Sequence, residues 1–348
     1  MKLKKNHQRK WLEFRMLMTT MTLRKLNNLG LLVLSYFLSR WFKRPIHWGM
    51  PWSIAIEPTT SCNLRCPECP SGLRSFTRPT GMLAPERFDH LINELHPHLG
   101  YLTFYFQGEP YLHPSFLSMV RLAADKGVYT STSTNAHFLK EDVARKTVAS
   151  GLHRIIISID GTHQDTYAQY RVGGDLQKVL EGTRNLVRVK KEMGSSTPHI
   201  VFQFLVVRHN EHEIEELHEL ARKEGVDEVK LKTAQIYDFE NGSDLMPLQD
   251  KYSRYEKSTD GKFKIKNPLL NHCWQMWNSC VITWDGKVVP CCFDKDARHS
   301  LGGTETGTFE EIWRSPDYHK FRASVLKSRS EIDICTNCTE GTRVWATS

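Results

Sequence analysis

The 348-residue chain is predicted to be an α/β protein: a partial (β/α)6 TIM-like barrel with a small cysteine-rich C-terminal domain and a basic N-terminal amphipathic helix. Three observations carry this expectation. Six short apolar, often β-branched runs alternate with amphipathic stretches. Polar turns bearing glycine, serine, asparagine or a carboxylate follow several of those runs, where α/β folds place their ligands. Nine cysteines divide into a compact triplet after the first run and six in the last quarter of the chain.

The apolar runs lie at 53–57, 102–106, 128–132, 155–159, 200–207 and 229–232, each short enough for a strand. Helical periodicity occupies 85–95, 114–126, 140–150, 176–193 and 211–224. Strands separated by helices give a parallel sheet, because a parallel crossover needs a dozen or more residues. Six such units suit an incomplete barrel; a doubly wound sheet is the alternative, since periodicity alone does not distinguish an open sheet from a curved one. Further on, Asp285-Gly286 is a strong hairpin signal, predicting antiparallel strands at 281–284 and 287–290. The expected division is an extension at 1–49, a core at 50–265 and a cysteine-rich domain at 266–348.

The triplet Cys62, Cys66 and Cys69 stands in the string SCNLRCPEC, directly after the first run. An iron–sulfur cube normally takes four thiolates. Three in one tight loop suggest a cluster with one iron left open, able to bind and activate a small molecule. The loop matters because a strand, whose side chains alternate faces, cannot converge three thiolates on one cube. A zinc site or inert buried thiols are the alternatives, though structural zinc usually wants four protein ligands.

This strand, its cysteine loop and the segments after them resemble the radical S-adenosylmethionine (SAM) superfamily, over about residues 50–340. In that family the CxxxCxxC loop holds a [4Fe–4S] cluster and SAM chelates the open iron. The string FQGEP looks like the family's GGE stretch, which meets the methionyl ammonium of SAM; here Gln107 replaces the first glycine, while Gly108 and Glu109 remain. The resemblance implies that Asn135, closing STSTN, and Ser158 and Asp160 in IIISIDG approach the SAM ribose. Arg171 in YRVGG would meet its carboxylate. Ordinary turn and capping chemistry is the alternative for each of these. Many relatives place an aromatic just before the third cysteine to pack on adenine; Glu68 stands there instead.

In the last quarter, Cys273 and Cys291 take the form Cx12Gx4C, with Gly286 in the hairpin turn, and Cys335 and Cys338 form a CxxC. This arrangement resembles the SPASM/twitch extension of radical SAM enzymes. The count, one complete set with Cys280 and Cys292 left over, implies a single auxiliary [4Fe–4S] cluster on Cys273, Cys291, Cys335 and Cys338. A zinc ribbon on the same four thiolates stays open on spacing alone, as does Cys292 in place of Cys291.

Charge is unevenly placed. Residues 1–45 hold eleven Lys/Arg against Glu13, a net of +10, while 36 basic and 38 acidic side chains leave the rest near neutral. No basic patch on the body therefore suggests nucleic acid. The apolar stretch 29–38 is too short, and too interrupted by Arg24, Lys25, Asn27 and Asn28, to span a bilayer. No small-residue cleavage site makes it a secretory signal. With Trp11, Tyr36, Phe37, Trp41 and Phe42 beside its cations, it suits peripheral contact with a membrane surface through residues 1–45. A helix packed on the barrel with solvated charges is the alternative. An odd number of cysteines at metal-ligand spacing places the chain in a reducing compartment, the cytoplasm.

Two functions are compatible with these features. The resemblance implies an enzyme that cleaves SAM reductively to a 5′-deoxyadenosyl radical, abstracts substrate hydrogen and uses the auxiliary cluster to accept an electron, giving net oxidation. An electron donor such as flavodoxin or ferredoxin would feed it. The substrate class is open among small molecule, glycan and peptide. The other function is a non-enzymatic zinc or iron–sulfur electron carrier, which needs none of the polar strand ends.

Overall fold

The computed structural model describes residues 15–305 and 307–344. Six strands run parallel and lie side by side in chain order: β1 (Ser53–Ile56), β2 (Tyr101–Phe104), β3 (Tyr129–Thr134), β4 (Arg154–Ser158), β5 (His199–Val206) and β6 (Glu228–Thr233). A doubly wound sheet reverses its order at a switch point. Here every crossover advances one strand in the same direction. Right-handed crossovers then put all the helices on one face, the winding of a barrel. The sheet does not close on itself, because the free edge of β1 is taken by another strand.

That strand is β9 (Ser279–Ile282), which pairs parallel to β1 with Ser53 opposite Ser279 and Ile56 opposite Ile282. Strand β10 (Val288–Val289) returns antiparallel to it around Gly286, whose φ of +86° suits glycine. The expected hairpin is present, and it continues the barrel sheet. One hydrogen-bonded sheet therefore crosses the division at residue 266. A separate short ribbon joins β7 (Tyr255–Lys257) to β8 (Phe263–Ile265).

Strand pleating sorts the side chains. Ile54, Ile56, Leu102, Phe104, Ile155, Ile157, Phe202 and Phe204 pack with helix residues such as Phe88, Leu91, Val120 and Leu186 in one core. Each such side chain contributes about 1.5–3 kcal/mol by burial. Their neighbours Ser53, Ala55, Thr103, Ser133, Ser158 and Gln203 point the other way and line a cavity. Strand β3 is buried along its whole length although its sequence is YTSTST. Its threonine hydroxyls are satisfied: Thr130 Oγ1 lies 3.0 Å from His153 Nδ1, Thr132 Oγ1 donates to Phe104 O at 2.8 Å and Thr134 Oγ1 to Glu109 Oε1 at 2.7 Å.

The basic helix α1 spans Leu23–Phe42, with Thr22 Oγ1 accepting from Lys25 N at its start. Lys25, Asn28, Leu32, Ser35, Tyr36 and Ser39 recur every three or four residues and are buried against the body. Asn28 exchanges two 2.8 Å bonds with the Met50 backbone, and Tyr36 Oη lies 2.9 Å from His272 Nδ1. Leu32, expected to face lipid, is instead part of the core. The opposite face exposes Leu23 (85%), Leu34 (51%), Phe37 (48%) and Trp41 (83%). One helix therefore packs on the protein and presents an apolar ridge. Trp11 and the basic residues preceding it lie outside the described residues.

Candidate active site

At the C-terminal edges of the strands a cavity of about 520 Å³ is lined by both cysteine groups. Its first wall is the loop after β1. Glu57, wholly buried at the end of that strand, accepts from Arg78 Nη1 at 2.8 Å and Nη2 at 2.6 Å, closing the 58–77 segment into a loop. Arg78 Nε also donates to Lys295 O at 2.8 Å, tying the loop to the C-terminal segment. Within the loop Cys69 precedes a short helix, α2 (Pro70–Leu73). Leu64 N lies 3.5 Å from Cys62 Sγ, and Arg171 Nη1 lies 3.7 Å from Cys66 Sγ. Burial pushes the Cys62 thiol up to about 12 and raises Cys66 as well. A bound cation reverses that, since a coordinating thiol is deprotonated outright.

The strand ends meet this loop. Gly108 has φ +74°, and a Cβ there would lie 2.2 Å from Thr59 O, so only glycine fits. Its N–H donates to Ser71 Oγ at 2.9 Å. Glu109 accepts from Thr134 Oγ1, from Asn135 N at 2.8 Å and from Tyr111 N at 3.2 Å. Burial raises its carboxyl to about 7 against the pull of those donors. Two carboxylate oxygens accept at about four positions, which leaves one for a further donor. Asn135 Nδ2 donates to Asn63 Oδ1 at 2.7 Å, joining the β3 end to the cysteine loop. Ser158 also lines the cavity.

Asp160 differs from the sequence expectation. It is fully buried, outside the cavity lining, and its carboxylate accepts from Leu205 N at 2.7 Å and from Arg171 Nε. It is a positioning residue that aims Arg171, which does line the cavity. Leu64, Tyr170 and Leu205 supply apolar surface beside the triplet that no motif announced.

The second wall gathers Cys273, Cys291, Cys335 and Cys338. Buried Arg329 places Nη2 3.0 Å from Cys338 Sγ, and Glu340 N lies 3.3 Å from the same sulfur. Gly341, at φ +83°, leaves room where a Cβ would sit 2.4 Å from Cys273 Sγ. Cys280 also lines the cavity: it lies on β9 opposite Ile54, beside Arg322 and Tyr318, and Tyr318 is in electrostatic reach of Cys291 too. Cys292 follows Cys291 and is exposed onto the cavity. Thiols with N–H and guanidinium donors near some of their sulfurs are the kind of donor set an iron–sulfur cube needs, with three cysteines on one wall and six lining the other. Sequence spacing missed Glu57, Ser71, Arg78, Lys232, Arg254 and Lys295; only the buried carboxylate directly after β1 left a trace.

Comparison with known proteins matches the two walls separately. A family model described as the radical SAM superfamily matches residues 56–221, and one for an iron–sulfur cluster-binding domain, SPASM, matches 273–339. The chain is 26% identical over 316 residues to the tungsten-containing aldehyde ferredoxin oxidoreductase cofactor-modifying protein of Pyrococcus furiosus, covering 81% of this chain and 86% of that one. It is 24% identical over 303 residues to the PqqA peptide cyclase of Rhodopseudomonas palustris, covering 80% and 77%. Among solved structures, native anSMEcpe with bound AdoMet has a TM-score of 0.61 at 18% identity, covering 84% of this chain and 89% of that one. The chain belongs to the radical SAM superfamily, as an enzyme with a [4Fe–4S] cluster, SAM and a C-terminal SPASM iron–sulfur domain.

Proposed function

We propose that the enzyme performs a net oxidation of a peptide or small molecule held between two clusters, one on Cys62, Cys66 and Cys69 and a single auxiliary one on Cys273, Cys291, Cys335 and Cys338. The observation that carries this reading is the one cavity bounded by both cysteine groups. When bound, the SAM-ligated cluster supplies a 5′-deoxyadenosyl radical. The chain's own residues bind and orient. Gly108 lets the backbone close on the methionyl end, and the remaining acceptor position of Glu109 takes its ammonium. Arg171, aimed by Asp160, faces the carboxylate; Asn135 and Ser158 border the ribose; Leu64, Tyr170 and Leu205 offer the adenine an apolar seat. The core is assigned to 50–265 and the auxiliary domain to 266–348. A small flavodoxin- or ferredoxin-like donor would supply the electron. The PqqA relative, named as a peptide cyclase, supports a peptide as substrate.

Reconstituted under strict anaerobic conditions and reduced, the protein is expected to convert SAM to 5′-deoxyadenosine and methionine. Iron and sulfide analysis should give about eight of each per chain, four per cube. A Cys335→Ala/Cys338→Ala double variant should lose about half the iron and still cleave SAM without substrate. A wild-type iron value near twelve counts against one auxiliary cluster.

The exposed ridge of α1 supports a second reading, peripheral contact with an anionic membrane on the cytoplasmic side. Arg24, Arg40, Lys43 and Arg44 flank Leu23, Leu34, Phe37 and Trp41. Each cation contributes about 1 kcal/mol at such a surface, weakened by salt. Deleting the helix would strip Leu32 and Tyr36 from the core, so surface substitutions are the better test. The full-length protein should float with anionic liposomes, whereas Leu34→Gln/Phe37→Gln/Trp41→Gln should stay in the aqueous fraction with an unchanged melting temperature. Equal flotation of both proteins removes this reading. No helix among the described residues is long and apolar enough to cross a membrane.

A further inference from the structure

We infer that the cavity wall formed by the end of β6, the segment before β7 and the turn after Cys292 binds an anionic group of the substrate, a carboxylate or a phosphate, through Lys232, Arg254 and Lys295. This rests on the cavity being the substrate chamber. All three side chains line it. Arg254 is only 8% exposed; its Nε donates to Thr233 Oγ1 at 2.8 Å, while its buried Nη1 has no partner among the described residues. A buried guanidinium without a full set of acceptors is costly, which leaves the Arg254 charge uncompensated beside the cavity.

Lys295 is held in place. Its Nζ donates to Tyr237 Oη at 2.7 Å and lies 4.6 Å from the ring centroid, and its carbonyl is gripped by Arg78. Lys232, the penultimate residue of β6, is exposed onto the cavity and has no hydrogen-bond or ion-pair partner among the described residues. Burial lowers the Lys295 ammonium, and the like charge of Lys232 acts in the same direction, so an anion between them would favour the charged form of Lys295.

Several other charges of the cavity are committed elsewhere. Arg171 is paired with Asp160, and Arg329 faces Cys338. Glu109 is engaged by Thr134, Asn135 and Tyr111. Glu68 accepts from Tyr237 N at 3.0 Å and lies in electrostatic reach of Lys295. Glu340 also lines the cavity and, like Lys232 and Lys295, lies in electrostatic reach of Cys292. Three cations with two carboxylates, Glu68 and Glu340, still leave an excess of positive charge facing the chamber. The competing role for the lysines is as counter-charges to Cys69 and Cys292, which also lie in electrostatic reach of Lys295. The guanidiniums at hydrogen-bond distance from sulfurs are those of Arg171, at Cys66, and Arg329, at Cys338; neither lysine makes such a bond to Cys69 or Cys292 among the described residues.

The test uses the reconstituted full-length protein with SAM bound, titrated calorimetrically with inorganic phosphate and, in a second arm, acetate, at constant ionic strength. One saturable site is expected. Lys232→Gln and Lys295→Gln should each weaken it about tenfold or more, and Lys232→Arg should restore most of it. The arm that binds more tightly tells a phosphate-bearing from a carboxylate-bearing substrate. Absence of binding in both arms, or binding unchanged by the substitutions, overturns the inference. So does a shifted auxiliary-cluster midpoint potential in Lys295→Gln with anion binding unchanged, which assigns the lysine to the cluster. Cleavage of SAM by the same wild-type preparation tests the enzyme reading separately. Its failure removes that reading and this inference with it, whereas normal cleavage without anion binding removes the inference alone.

Discussion

Cys66→Ala is expected to reduce formation of 5′-deoxyadenosine from SAM to background. Cys66 is the central and most buried member of the triplet, at 5% exposure, and Arg171 stands 3.7 Å from its sulfur. With the methyl of alanine in its place only two thiolates remain on that wall, and two cannot hold a cube that must keep one corner open. No neighbour replaces the lost sulfur, since the other six cysteines lie on the auxiliary wall or on β9. Such a loss is expected to exceed about 10³-fold, the removal of a group without which the reaction has no site. Iron should fall by about half, to about four per chain, because the auxiliary thiols are intact. The experiment pairs anaerobic product chromatography with iron analysis. Cleavage within about tenfold of wild type would place the SAM-binding cluster elsewhere.

Arg78→Met carries the largest expected effect on stability. Glu57 and Arg78 form a two-bond pair with side-chain exposures of 0% and 4%, and Arg78 also holds the Lys295 carbonyl. Removing one member of a buried pair leaves an uncompensated charge, at a cost of about 3–5 kcal/mol. Methionine keeps the apolar contacts that Arg78 makes over Phe76 and Phe106 while deleting the charge. Urea unfolding should show that loss at neutral pH. Burial already raises the Glu57 carboxyl, with Arg78 holding it down, so the variant raises it further. Stability from a group raised in the folded state is fully present below its unfolded value of about 4.3 and is lost as pH rises through the folded value. The deficit should therefore narrow as pH falls towards about 5. The loop that Arg78 closes carries the cysteine triplet, so lower iron occupancy should accompany it. A loss below about 1 kcal/mol would mean that the pair is solvated in the working protein.

What the sequence determined by itself were the features set by local chemistry. The helix at 85–95 is found at Pro85–Leu95, and each predicted strand of the barrel is found within two residues of its expected ends, because periodicity and β-branched runs depend on near neighbours. The cysteine spacings and the Asp285-Gly286 turn are local in the same way, and the structure brings both cysteine groups to one cavity. What only the tertiary structure decided required contacts between distant residues. The barrel winding follows from strand order, and β9 joins β1 across more than 200 residues. Asp160 serves Arg171 because Leu205 N and the guanidinium occupy its oxygens. Cys280 is held on β9 by its pairing with β1, beside Tyr318 and Arg322, on the cavity that the auxiliary cysteines also line. Helix α1 faces two ways, because one side meets His272, Trp274 and Trp277 and the other meets solvent. Lys232, Arg254 and Lys295 share a wall only because the end of β6 and the turn after Cys292 arrive at the same place. Spacing along a chain carries no signal for such meetings, since the closing entropy of a long loop depends only weakly on its length and packing decides where its ends lie.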